Sequence, residues 1–118
     1  QGGFHFIDFT DIDNPVETAI YQVPEVGSHN HWVEGDILYA GYYYGGIRVL
    51  DISGELLGDL YAQGREIAFF EGRDPNGKIP NETNVWGVIP YKGLIYFADH
   101  YNGLWAVKLV DDETMGTN

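Results

Sequence analysis

Apolar residues along this chain fall in short alternating or continuous runs, each bounded by turn formers. No stretch of a dozen residues repeats them at i, i+3 and i+4, so no long helix is expected. Strands are predicted over Phe4 to Phe9, Val16 to Val23, Asn30 to Glu34, Ile37 to Tyr42 and Ile47 to Ile52. Further strands are predicted over Leu56 to Tyr61, Glu66 to Glu71, Val85 to Ile89, Leu94 to Ala98 and Leu104 to Val110. The punctuation between them is chemically specific. Gly35-Asp36 is a two-residue hairpin signal, Gly45-Gly46 and Lys92-Gly93 turn the chain, and Asp74-Pro75-Asn76-Gly77 is a strong turn sequence. The pattern predicts an all-β fold.

The strands recur. Gly3 to Phe9, Gly46 to Ile52 and Gly103 to Leu109 superpose without gaps, at spacings of 43 and 57 residues. Ile37-Leu38-Tyr39-Ala40 and Leu94-Ile95-Tyr96-Phe97 precede the second and third copies. Further upstream, Asn30-His31-Trp32-Val33 aligns with Asn84-Val85-Trp86-Gly87. A unit near 43 residues holding about four short strands fits a β-propeller blade. The longer second unit is explained by an insertion, mostly at Gly72 to Glu82. The expected architecture is a partial propeller over residues 1–110, with units starting near 3, 46 and 103 and blades of four antiparallel strands. About two and a half blades form an incomplete ring, where a closed one takes roughly four to eight. The expectation is a piece of a longer propeller rather than several copies closing one ring. Residues 111–118 are expected to form a mobile acidic and polar tail. The opening Gln1-Gly2-Gly3, without Met, suggests a processed or incomplete chain.

Composition sharpens the picture. The 118 residues are 44% hydrophobic and 15% aromatic, enough for a modest core and in keeping with β-structure. The net charge is −12 and uneven: residues 1–59 carry ten acids and one base, residues 60–118 eight acids and five bases. Such a surface repels phosphate backbones and anionic lipid, so nucleic-acid binding is not expected. It favours solubility or a basic partner. With no cysteine, disulfides, thiolate metal sites and cysteine catalysis are excluded. No apolar run approaches the roughly 20 residues of a transmembrane helix.

Candidate chemistry is sparse. His29 and His31 would share one face of a strand and could hold zinc or copper, with Asp99 and His100 as further ligands. The competing reading is architectural, because Asn30 and Trp32 align with Asn84 and Trp86, and it is preferred. No metal and no cofactor is therefore favoured. Asp8, Asp11, Asp13 and Asn14 resemble a calcium loop in composition alone, and hydrogen bonding within the turn before Pro15 is preferred. Asp8 and Asp51 hold equivalent repeat positions, where a structural hydrogen bond is expected. No nucleophile elbow or phosphate loop occurs, and among 18 acids a carboxylate pair carries no information. Tyr42, Tyr43, Tyr44 and Tyr101, with Trp32, Trp86 and Trp105, could form a contact patch for protein or sugar. Asn81-Glu82-Thr83 is a glycosylation sequon.

Gly46-Ile47-Arg48-Val49-Leu50-Asp51-Ile52-Ser53 resembles the Gly-Leu-Arg-Val-Val-Asp-Ile-Ser run of the LVIVD-repeat β-propeller family. His29 to Val33, Tyr39 to Tyr43, Asn84 to Val88 and Asp99 to Trp105 are similar to segments near the C-terminal end of such propellers. The resemblance runs from Gly3 to about Val110 and brings no catalytic motif. It implies an exported or surface-associated module without assigned activity. The function expected is a non-catalytic, extracytoplasmic interaction or scaffold element, possible partners being its propeller's other blades or a membrane-associated complex. The alternative is a metal-dependent enzyme, or a small-ligand or carbohydrate binder, with its site in the propeller funnel.

Overall fold

The computed structural model describes residues 2–110, and these are all β, with ten strands and no helix. The strands are β1 (Phe4–Asp8), β2 (Val16–Tyr21), β3 (His31–Glu34), β4 (Ile37–Gly41) and β5 (Ile47–Asp51). They continue with β6 (Gly58–Asp59), β7 (Glu66–Phe70), β8 (Val85–Tyr91), β9 (Leu94–Asp99) and β10 (Gly103–Val107). Three sheets result, in the orders β1-β2-β6, β3-β4-β5-β7 and β8-β9-β10. All pairings are antiparallel except β2 with β6. The turn chemistry holds locally. Lys92 and Gly93, at φ 48° and 83°, make the two-residue turn between Tyr91 and Leu94, whose twist suits a hairpin. Pro90 sits in β8, an edge strand, where its missing N–H is harmless.

The four-stranded sheet lies between the other two because both of its faces are apolar. Successive side chains of a strand point to opposite faces. Leu38, Ala40, Tyr42 and Leu50 therefore join Ala19 and Tyr21 of β2 in one core. Ile47 and Val49 join Val88, Ile95 and Phe97 of the third sheet in a second core. Tyr42 is fully buried in the first core, and its hydroxyl donates to the Tyr21 carbonyl at 3.0 Å. Arg48 is buried too. Its guanidinium pairs with Glu66 at 3.1 Å and Glu71 at 3.5 Å, donates to the Gly45 carbonyl, and lies 4.7 Å from the Phe69 ring centroid.

The predicted sixth strand shrinks to Gly58–Asp59 and leaves its own sheet to pair with β2 in parallel. The cause is Leu60, which is fully buried in the core against β2, while Gly58 at φ 76° bends the chain towards it. The upstream alignment is corrected by three residues. Trp32 pairs with Tyr39, and the residue paired in the same way with Tyr96 is Ile89, not Trp86. The two hairpins turn at Gly35 and Gly93, which sets this register, while a bulge between Val85 and Gly87 displaces Trp86.

A second correspondence is structural alone. The β1–β2 and β5–β7 pairings each carry a bulge, at Thr18 opposite Phe6 and Ile7 and at Ile67 opposite Val49 and Leu50, which are equivalent positions of the sequence repeat. β2 and β7 then align as Glu17-Thr18-Ala19-Ile20-Tyr21 and Glu66-Ile67-Ala68-Phe69-Phe70. A Cβ added to Gly3 would press on the Tyr21 carbonyl oxygen, and one added to Gly46 on the Phe70 carbonyl oxygen. Glycine is required there by the close approach of the neighbouring strand. The expected 111–118 tail lies outside the described residues.

Candidate functional site

Sequence reasoning placed the candidate chemistry around His29, His31, Asp99 and His100. The structure divides these residues. The chain at His29 and Asn30 lies just before β3 and bonds to the bulge of β8: Asn30 N donates to the Trp86 carbonyl at 3.0 Å. His29 N donates to Gly41 O at 2.8 Å, and Tyr43 exchanges two bonds with Val85 at 3.0 and 3.1 Å. Gly41 is required in this seam, since a Cβ there would lie 2.9 Å from the Trp86 carbonyl. The His29 ring contacts the same carbonyl through Nδ1 at 3.0 Å and stacks on the Trp86 indole at 5.1 Å. The His100 ring also stacks on Trp86, at 5.0 Å and 9°. Tyr43 meets His29 edge-on at 5.5 Å, and the Trp86 N–H donates to Asn84 Oδ1 at 2.7 Å. The cluster is an aromatic clasp between the second and third sheets.

His31 belongs elsewhere. As the first residue of β3 it pairs with Ala40, whose side chain enters the first core, and its ring packs edge-on against Phe4 at 5.1 Å. The alternative His-x-His face, which needed both residues on a strand, does not form, because His29 precedes the strand and the two rings pack on different sheets. Asp99 is committed as well. It is 4% exposed and accepts from Thr83 Oγ1 at 2.5 Å, Asn84 N at 3.0 Å, Tyr101 N at 2.8 Å and Asn102 N at 3.2 Å. These bonds tie the start of β8 to the β9–β10 turn. Among the described residues, no three His, Asp or Glu side chains are grouped as a metal would need.

The acidic loop after β1 is occupied by its own turn. Asp8 accepts from Thr10 N at 2.8 Å and Thr10 Oγ1 at 2.6 Å. Asp11 accepts from Asp13 N at 3.1 Å and Asn14 Nδ2 at 2.9 Å. Asp51 repeats the first motif with Ser53 N at 2.8 Å. The Thr10 and Ser53 donors hold the Asp8 and Asp51 carboxyls below the usual carboxylate range.

The tyrosine patch is also divided. Tyr42 is removed from it by burial, which pushes its hydroxyl pKa up. Tyr43 is half-buried in the clasp, at φ 38°. Tyr44 is 51% exposed, and the hydroxyl of half-buried Tyr101 raises its pKa. Sequence reasoning missed the partly buried chain Tyr21–Glu66–Arg48–Glu71. Tyr21 Oη donates to Glu66 Oε1 at 2.5 Å, and burial raises the Tyr21 pKa first, with the Glu66 contact adding to it. Arg48 in an otherwise apolar strand was the available signal.

Two grooves remain. One, of about 460 Å³, lies between Trp32 on β3 and the third sheet, lined by Ile89, Tyr96 and Leu104. The other, also about 460 Å³, runs beside β10, lined by Ile47, Val49, Ala68, Phe70, Ile95 and Val107. The first has apolar walls, which suit polypeptide or apolar ligands, while Glu66 and Lys108 also line the second. No protein-family model matches the chain, and no significant match exists among curated proteins or solved structures.

Proposed function

We propose that this chain is a non-catalytic β-propeller module that serves as a protein-interaction or scaffold element. One observation carries the reading: the outer face of the third sheet is apolar and, among the described residues, no other sheet packs on it. On β10, Leu104 is 77% exposed, and Ile89 and Tyr91 of β8 are 40% and 57% exposed. On β4 and β5, the central strands of the middle sheet, apolar residues are covered on both faces by neighbouring sheets. An apolar sheet face rimmed by polar residues marks a place where protein packs. The four-stranded antiparallel meander, with sheets stacked on both faces, has the form expected of a blade between two others.

The candidate ligands favour a non-catalytic role, because His29, His100 and Asp99 are spent on holding sheets together. An extracytoplasmic location, on the outer face of a membrane complex or with further blades, follows from the LVIVD-repeat resemblance. The test is a pull-down with the tagged chain from membranes of the source organism. Specific recovery of a stoichiometric partner supports the reading, and recovery of the bait alone refutes it.

A further inference from the structure

The Asp74-Pro75-Asn76-Gly77 turn has no part in the interaction reading, yet its surroundings give it a chemistry of its own. It lies in the loop between β7 and β8. The chain holds two Asn-Gly pairs, Asn76-Gly77 and Asn102-Gly103. Such a pair can close on itself, because glycine has no side chain to obstruct attack by its nitrogen on the asparagine amide carbon. Closure needs the asparagine side chain to turn towards that nitrogen, the nitrogen to shed its proton, and the backbone to bend.

The structure grants these freedoms to one pair and denies them to the other. Asn102 is fixed. Its Nδ2 donates to Gly72 O at 2.7 Å and Glu82 O at 2.8 Å, the two ends of the loop, and to Asp99 Oδ2 at 3.2 Å. Gly103 opens β10, paired with Asp99. Asn76 is exposed, and among the described residues nothing hydrogen-bonds its side-chain amide. The Gly77 N–H is held by one bond, to Asp74 O at 3.1 Å, in a surface turn that opens at little cost.

We propose that Asn76-Gly77 is a self-modification site, whose conversion to isoaspartate releases the 72–82 loop from Asn102. The Gly77 amide loses its proton to solvent base, and its nitrogen bonds to Asn76 Cγ. The Cγ–Nδ2 bond breaks, and ammonia leaves with a proton taken from water. Water then opens the cyclic imide. Attack at Cγ gives aspartate, and attack at the main-chain carbonyl gives isoaspartate, which puts one more carbon into the backbone. The turn has little room for that carbon. Asn81 N is held to Asp74 O at 2.9 Å and Lys78 N to Tyr101 O at 3.1 Å. Gly77 packs on Asn102 Oδ1, which is buried without a hydrogen-bond partner, and a Cβ on Gly77 would overlap it. Neither the chemistry nor its effect depends on a partner or on further blades.

The test incubates the full chain at mildly alkaline pH, where more of the amide nitrogen is deprotonated. Protease digestion in mildly acidic buffer and tandem mass spectrometry then follow both asparagines. In the folded chain Asn76 is expected to convert about tenfold or more faster than Asn102, and in urea the two rates are expected to agree within about threefold. Asn76→Gln, which would have to close a larger, slower-forming ring, is expected to remove the reaction at this position. The isoaspartyl chain is separated by ion exchange and followed by hydrogen exchange. Its Lys78 and Asn81 amides are expected to exchange about tenfold or more faster, with β4 and β5 unchanged. Asn76→Asp, which carries the charge without the extra carbon, is expected to exchange like the wild type at both amides. Equal folded-state rates at Asn76 and Asn102 overturn the site. Unchanged exchange at Lys78 and Asn81 in the isoaspartyl chain overturns the loop release, as does an increase shared by β4 and β5 or reproduced by Asn76→Asp.

Discussion

Replacing Asp99 by alanine separates a structural carboxylate from a ligand-binding one. The carboxylate is buried and accepts from one buried hydroxyl, three partly buried backbone N–H groups and the Asn102 side-chain amide, which keeps two backbone carbonyls as other partners. Losing the acceptor strands Thr83 Oγ1, itself fully buried, at about 1–3 kcal/mol. Water reaches the three N–H groups in part, so each adds about 0.5–1 kcal/mol. The expected loss is about 2.5–6 kcal/mol, a large share of a domain stability of about 5–15 kcal/mol. Asp99→Asn keeps one carbonyl oxygen for the N–H groups and costs about 1–2 kcal/mol. Urea unfolding followed by circular dichroism, with and without EDTA, measures both. Asp13→Ala, at an exposed acid, serves as the control and changes stability by less than about 0.5 kcal/mol. An Asp99→Ala loss below about 1 kcal/mol refutes the reasoning. So does a wild-type stability that EDTA lowers by as much as the substitution does, since the carboxylate would then be acting through a metal.

Gly46→Ala forces a Cβ against the Phe70 carbonyl at φ 73°, and thermal melts are expected to show a loss of about 2–4 kcal/mol. Gly35→Ala, at φ 59° with open space around it, loses only about 1 kcal/mol, and equal losses at the two sites would contradict the close-packing account. Tyr42→Phe leaves the Tyr21 carbonyl without this donor in the core and lowers stability by about 1–2 kcal/mol in the same melts. Asp8 and Asp51 have lowered pKa values in the fold, so each stabilises it when ionised. That contribution is present above about pH 4 and is lost as pH falls through the folded values. The Asp8→Asn, Asp51→Asn double variant is therefore expected to lose less stability than the wild type between about pH 5 and pH 3. Parallel acid-unfolding curves would count against it.

Strand positions were legible because their signals are local. Alternation along Ile37 to Gly41, and the Gly35-Asp36 and Lys92-Gly93 turns, specify extended segments and reversals without reference to the rest of the chain. The recurrence of the Gly46 to Ile52 pattern was equally plain. What the strands do to one another was not. Leu60 draws β6 into the first sheet because a buried side chain outweighs local strand preference, a long-range effect. His29 and His31 are two residues apart, yet one joins Trp86 and the other Phe4, since the chain leaves strand geometry to pair with the β8 bulge. Asp99 looks like any surface acid until Thr83, Asn84, Tyr101 and Asn102 surround it. Sequence by itself determined an all-β chain and the order and approximate limits of most of its strands, because backbone propensity and turn chemistry act over a few residues. Only the tertiary structure decided which sheets face each other and that the candidate ligands are structural ties. Those outcomes depend on contacts between residues that sequence spacing does not relate.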